Sequence, residues 1–155
     1  MRNANKTLQI LLTILIIATI VFIFGNSVMP PDLSSKQSDG VASIIEKIIP
    51  IDTTFGSFIH ENIRKIAHFT EYGLLGIEIA IYVMLYAEEK LKQAAFSTFI
   101  PFAVGFTDET IQIFSGRGPS VADVWIDVGG FLSFSLLTYS VSIVLIFTRA
   151  LCSRK

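Results

Sequence analysis

Charge is scarce in this chain, and its scarcity decides the class of protein. Only 16% of the residues are charged, while 52% are hydrophobic. A soluble domain of this size carries about a quarter charged residues. There is one cysteine, Cys152, so no internal disulfide can form and no zinc-type Cys spacing exists. No Gly-rich phosphate loop and no convincing internal repeat is present. The net charge of -1 is uninformative as a total, and no nucleic-acid partner is expected.

What the chain has is long apolar runs, at 8–24, 66–86, 94–114 and 124–147. A bilayer core of about 30 Å needs about 20 apolar residues as helix, within a window of about 17–25. Four membrane spans are therefore expected, at about 8–24, 64–86, 94–114 and 123–148. They leave no room for a separate soluble domain, so residues 1–155 form one membrane domain. The expected fold is all-α, an integral membrane four-helix bundle. Arg2 and Lys6 before the first run also fit a signal peptide, with Gly25-Asn26-Ser27 as a passable cleavage site. The run exceeds the usual signal core of about 7–15 residues, which favours a retained anchor.

Lys and Arg in short loops set orientation. With both termini cytoplasmic, Arg2, Lys6, Lys90, Lys92, Arg149, Arg154 and Lys155 lie inside, and Lys36, Lys47, Arg64, Lys65 and Arg117 lie outside. Of the acidic residues only Glu88 and Glu89 fall inside. Acidic residues hardly affect insertion, so their crowding on the other side asks for a functional reason. The expected location is the cell membrane, multi-pass.

The connection between the first two spans contains a breaker, Met29-Pro30-Pro31, then Ser34-x-x-Gln37 as a capping box. Val41, Ile44, Ile45, Ile48 and Ile49 follow at the spacing of an amphipathic helix. An extracytoplasmic helix at about 34–49 is expected, either lying in the membrane interface or covering the mouth of the bundle. A second stripe from Phe55 runs directly into the second span.

Ionisable groups within membrane spans are costly and mark function by default. Arg64, His68 and Glu71 share one helix face at i, i+4 and i+7. Glu78 lies on the same face near mid-span. Asp108, Glu109 and Gln112 close the third span, the loop Ser115-Gly116-Arg117-Gly118-Pro119-Ser120 follows, and Asp123 and Asp127 open the fourth. In the four-span topology these clusters meet near the outer ends of their helices. Each also has a plain structural reading. Arg64 and Lys65 fit snorkelling anchors, and Asp123 fits a helix N-cap. Asp108 and Glu109 fit structural partners of Arg117. Glu78 fits a neutral group bonded to another helix, and His60 a solvated one. Tyr72 and Trp125 fit an aromatic belt. Gly129, Gly130, Ser133 and Ser135 fit helix packing.

Three stretches resemble the VanZ-like family of bacterial membrane proteins: Arg64-Lys65-x-x-His68-Phe69-x-x-Tyr72, Asp108-Glu109-x-x-Gln112-x-x-x-x-Arg117, and Ser120-x-x-Asp123-x-x-x-Asp127-x-x-Gly130. They stand in the family's order and, with a Ser-rich segment at 34–38, cover about residues 20–140. Position 127 is often Asn in that pattern and is Asp here. The resemblance implies a cell-envelope protein associated with resistance to the glycopeptide teicoplanin. It names no secure activity and no cofactor.

Three functions compete. The first is binding or modifying an outer-leaflet lipid or lipid-linked cell-wall precursor. In that reading His68, Glu71, Asp108, Glu109 and Asp123 are the catalytic candidates, with His68 and Glu71 as the acid–base pair. Arg64, Lys65, Tyr72, Gln112, Arg117, Ser120 and Asp127 are the binding candidates, because Arg pairs phosphate bidentately. The second is a non-catalytic factor that alters glycopeptide access. The third is a metal-dependent enzyme using the carboxylates and His68, although no ligand spacing here is diagnostic, so no metal ligands are assigned.

Overall fold

The computed structural model describes residues 2–86, 90–118 and 120–152. Among them there are five helices and no strands: α1 (Arg2–Val28), α2 (Pro31–Glu46), α3 (Thr54–Tyr86), α4 (Lys90–Phe114) and α5 (Val121–Cys152). Glu88 and Glu89 of the expected inner loop, Pro119, and the terminal Arg154 and Lys155 lie outside the described residues.

Three of the helices are long and apolar enough to cross a membrane, over Lys6–Val28, Thr54–Tyr86 and Val121–Ala150. Their outward residues, such as Ile10, Ile14, Val21, Ile143, Ile146 and Phe147, are large, apolar and exposed. Faces of that kind suit lipid rather than water, and this is a membrane protein. The expected fourth span, α4, is not among the three. Asp108, Glu109, Thr107, Thr110 and Gln112 crowd its last turns and dilute its hydropathy. It also carries Pro101 in its interior. It nevertheless packs against α1, α3 and α5.

The longest shared interface joins α3 and α5. Tyr72, Leu75, Ile79 and Val83 follow helical spacing along α3 and form the core with Ile23, Val104 and Phe131. The two backbones touch. A Cβ on Gly76 would collide with the carbonyl of Phe131, and one on Gly130 with the carbonyl of Phe69. Ser135 Oγ donates to the carbonyl oxygen of Gly76 at 3.0 Å. Small residues that let backbones approach are how helices associate without a hydrophobic drive between them. Gly130 and Ser135 meet that expectation. Ser133 does not, because it is exposed, and Gly129 makes only a loose approach to the Phe69 ring.

Both ends of the second helix differ from the sequence reading, since it spans Pro31–Glu46 rather than about 34–49. The second helix begins at Pro31, with Pro30 as N-cap and no side-chain cap, so the capping box at Ser34 does not form. Pro31 brings a fixed φ and no N–H to the first helical position, where no intrahelical partner exists. That starts the helix one turn early. The third helix runs unbroken for 33 residues, about 50 Å at 1.5 Å per residue. Its first turns therefore stand clear of a hydrocarbon core of about 30 Å.

Candidate functional site

The polar residues collect at one end of the bundle, where α1 and α4 finish and where α5 begins. α3 passes through that end in its first half. Burial is unusual there. Asp108 and Asp127 are 0% exposed and Gln112 is 1%.

A chain of hydrogen bonds runs through α4. Gln112 Nε2 donates to Asp108 Oδ2 at 3.1 Å and to Glu109 Oε1 at 2.9 Å. Arg64 donates across from α3 to Gln112 Oε1 at 2.9 Å. The backbone N–H of Ser120 donates to Glu109 Oε2 at 2.7 Å, which ties the start of α5 to α4. The i+3 and i+4 spacing makes the Gln112 contacts local. The Arg64 contact depends on how α3 and α4 are rotated.

The end of α1 supplies two donors that the sequence reading did not assign to the site. Ser27 Oγ donates to Asp108 Oδ1 at 2.5 Å, and Asn26 Nδ2 donates to Glu71 Oε1 at 2.8 Å. They belong to the Gly25-Asn26-Ser27 segment read as a passable cleavage site. Their polarity at the same end of the bundle as the other clusters was the available signal.

His68 does not bond to Glu71 among the described contacts. Its Nδ1 lies 3.6 Å from Asp127 Oδ1 and 3.8 Å from Asp108 Oδ2. Both exceed hydrogen-bond range. The His68 ring thus turns toward α4 and α5 while Glu71 turns toward α1. His68 Nδ1, Glu71 Oε2, Tyr72 Oη and both Asp127 oxygens are buried without a hydrogen-bond partner.

Arg117 sits in the α4–α5 loop because of a helix-terminating turn. Gly116 has φ +77°, a conformation open to glycine. Gly116 N–H bonds to the Ile113 carbonyl and Arg117 N–H to the Gln112 carbonyl. This is a Schellman ending, and it folds Arg117 back over the bundle. One guanidinium nitrogen donates to the Asn26 carbonyl at 3.0 Å, while Nε has no partner. Arg117 does not pair with Asp108 or Glu109, as the structural-partner reading required. No carboxylate forms an ion pair with Arg64 or Arg117 among the described residues. Burial, followed by the charge of Arg64, pushes the Arg117 guanidinium below its usual range. The charges of Asp108, Glu109 and Asp123 act in the opposite direction without forming an ion pair with it.

Two cavities meet at His68 and Arg64. The first, about 260 Å³, lies under α2 and is lined by Asn26, Ser34, Gln37, Ser38, Glu71 and Arg117, among others, with Phe22 and Val41 at its apolar margin. The second helix thus flanks this cavity with Ser34, Gln37, Ser38 and Val41, while Ile44 stays exposed. The second, about 250 Å³, lies between α3 and α5 and is lined by Glu61, Arg64, Lys65, His68, Asp123 and Ile126.

The remaining candidates divide clearly. Asp123 lies within the first turn of α5, so Ser120 stands at the cap position instead. Tyr72 is fully buried in the core and lines neither of these two cavities, which removes it from an aromatic belt. Trp125 is exposed and packs edge-on against Phe102 with ring centres 5.7 Å apart. Glu78 is buried and accepts from Thr19 of α1 at 2.8 Å, as the helix-bonding reading expects. It lies apart from the cavities under α2 and beside α5.

No match is found among curated proteins, nor among solved structures. The VanZ/LLP1 family model matches residues 12–145. That span includes the polar residues of the site from Asn26 to Asp127 and most of every helix. The chain therefore belongs to the VanZ/LLP1 family.

Proposed function

We propose that this is a four-span cell-envelope protein that binds the anionic head group of a membrane lipid or lipid-linked wall precursor in the cavity beneath α2. One observation carries the reading. Arg64 and Arg117 border the same cavity, and neither has an ion-pair partner among the described residues. A phosphate between them would relieve their repulsion and give the Arg117 Nε an acceptor. Ser34, Gln37 and Ser38 of α2 supply further polar groups at the cavity wall. Phe22 and Val41 line the same cavity yet are exposed, so an apolar tail has a way out along α1 and α2. The volume suits a head group rather than a whole precursor.

The proposed topology places α4 as the fourth crossing, with the polar end at the outer leaflet and both termini in the cytoplasm. α4 packs against three helices and turns Phe99, Phe106 and Ile113 outward, an apolar face that suits lipid, while Asp108, Glu109 and Gln112 are buried in the bundle. Capture of a wall precursor at that level is the route by which such a protein would change teicoplanin susceptibility. His68 and Glu71 line the binding cavity and are the groups placed to handle a proton there.

The binding claim is tested by native mass spectrometry of the detergent-purified protein. A polyprenyl phosphate should remain bound one per chain, while phosphatidylcholine and diacylglycerol should dissociate. Inorganic phosphate alone should compete only weakly. Equal retention of diacylglycerol would defeat the reading.

The topology has its own test. Cys152 is exposed at the end of α5 and is the only cysteine. A membrane-impermeant maleimide should leave it unmodified in intact cells and modify it after lysis. Modification in intact cells would put the polar end on the cytoplasmic side.

A further inference from the structure

We propose that His68, Asp108 and Asp127 form a binding site for a single divalent transition-metal cation of the Zn²⁺ or Mn²⁺ type, held between α3, α4 and α5. One ligand atom from each residue lies within 4.8 Å of the other two. The His68 Nδ1 distances of 3.6 and 3.8 Å to the two carboxylates are too long for hydrogen bonds. They come within a few tenths of an ångström of the separation of about 3.4 Å between ligands in a tetrahedral site with bonds of about 2.1 Å.

Asp127 supplies the independent observation. It is 0% exposed, and neither of its oxygens has a hydrogen-bond partner. One of them faces His68 Nδ1, which is itself buried and unpartnered. Native structures rarely leave buried polar atoms in this condition, and an ion is one of the standard explanations. The neighbouring cations do not fill the need. Arg64 is bonded to Gln112, and Arg117 to the Asn26 carbonyl.

Asp108 is in the condition expected of a ligand already oriented. Ser27 holds Oδ1 and Gln112 holds Oδ2, and each carboxylate oxygen retains a further lone pair for a metal. Bonds of that kind fix the direction of a ligand and raise its affinity. Charge also balances, since two carboxylates and a neutral imidazole against a 2+ ion leave none. One imidazole with two carboxylates suits a borderline cation rather than a thiolate-seeking one. The sequence carries no such motif because the three ligands come from three different helices.

The test uses the full-length protein in detergent, stripped with a chelator and then titrated with Zn²⁺ and, separately, Mn²⁺, without added lipid. Calorimetry should show one site per chain. Asp127→Asn and His68→Gln should each weaken binding at least tenfold, and Glu78→Gln should leave it unchanged. Co²⁺ loaded into the wild-type protein should give an absorption spectrum with a nitrogen ligand, altered in His68→Gln. Circular dichroism and gel filtration of each variant separate lost binding from lost folding. Asp127→Asn is nearly isosteric and leaves the helix register intact, so a folded variant is expected. Absence of one-site binding in the wild type would overturn the proposal. So would binding that survives both substitutions. Because no lipid is present, neither result bears on the head-group reading, which stands or falls on the lipid measurement.

Discussion

Arg117→Lys is expected to lower the affinity for a polyprenyl phosphate by about tenfold or more while the protein inserts and folds normally. The shape of the side chain decides the effect. A guanidinium offers five donors in a planar fork, and an ammonium offers a compact point charge. Arg117 already spends one nitrogen on the Asn26 carbonyl, and its Nε remains unpartnered. Lys cannot satisfy the carbonyl and a phosphate in the same geometry. A lost charge-assisted hydrogen bond costs about 1.5–3 kcal/mol, and about 1.4 kcal/mol is a factor of ten. Folding should survive because the Schellman turn needs only backbone atoms at position 117 and glycine at 116. Native mass spectrometry of the variant against the wild type reads the effect. Unchanged retention in the Lys variant would reduce Arg117 to a generic positive charge.

His68→Gln is expected to abolish whatever shift in teicoplanin susceptibility the protein confers, with membrane abundance and thermal stability preserved. Gln is close to His in size and keeps a donor and an acceptor, but it does not take up a proton near neutral pH. The structural cost should be small. His68 Nδ1 makes no hydrogen bond to lose, so the change should be about 1 kcal/mol, the centre of the distribution for single substitutions. The functional cost should be large, because His68 borders the cavity under α2 and the cavity between α3 and α5 and also faces the Asp108–Asp127 pair. Glu71→Gln should weaken the phenotype less, since the Asn26 amide can still bond to the new side chain. Susceptibility assays, quantitative immunoblots and thermal unfolding of the purified variants decide the matter. Loss of stability in step with loss of phenotype would make His68 a packing residue.

Much of this arrangement is legible in the residues themselves. Helices were expected wherever apolar runs reach spanning length, and helices stand there. The i+3 and i+4 spacing of Asp108, Glu109 and Gln112 foretells their mutual hydrogen bonds, because those contacts are internal to one helix. The apolar period of 41–49 foretells an amphipathic helix between the first two spans. Its start does not follow from Ser34, because Pro31 offers a better first position. Tyr72 shows where reading stops. Near the start of the expected span at 64–86 it suits a membrane interface. It shares its helical stripe with Leu75, Ile79 and Val83, however, and that stripe faces the core.

What sequence withholds is rotation. Whether His68 turns to Glu71 on its own helix or to Asp108 and Asp127 on others depends on how α3, α4 and α5 are turned about their axes. For α3 and α5 the close passage of Gly76 and Gly130 against opposing backbone limits that rotation. Neither glycine announces a partner in the sequence. The donors Asn26 and Ser27 were obscured for another reason. A small polar segment after an apolar run is also what a signal peptide looks like, so the same residues served two readings.

In the proposed function an anionic lipid head group enters the cavity bounded by α1, α2 and α3. A polyprenyl phosphate carrying a photoreactive group beside the phosphate tests it most directly. After illumination in membranes and proteolysis, the cross-links should map to the residues that line this cavity, Phe22, Val41, Ile63 and Ala67, and should fall sharply in Arg117→Lys. Cross-links confined to the outward faces of α1 and α5, with equal yield in the variant, would contradict the account.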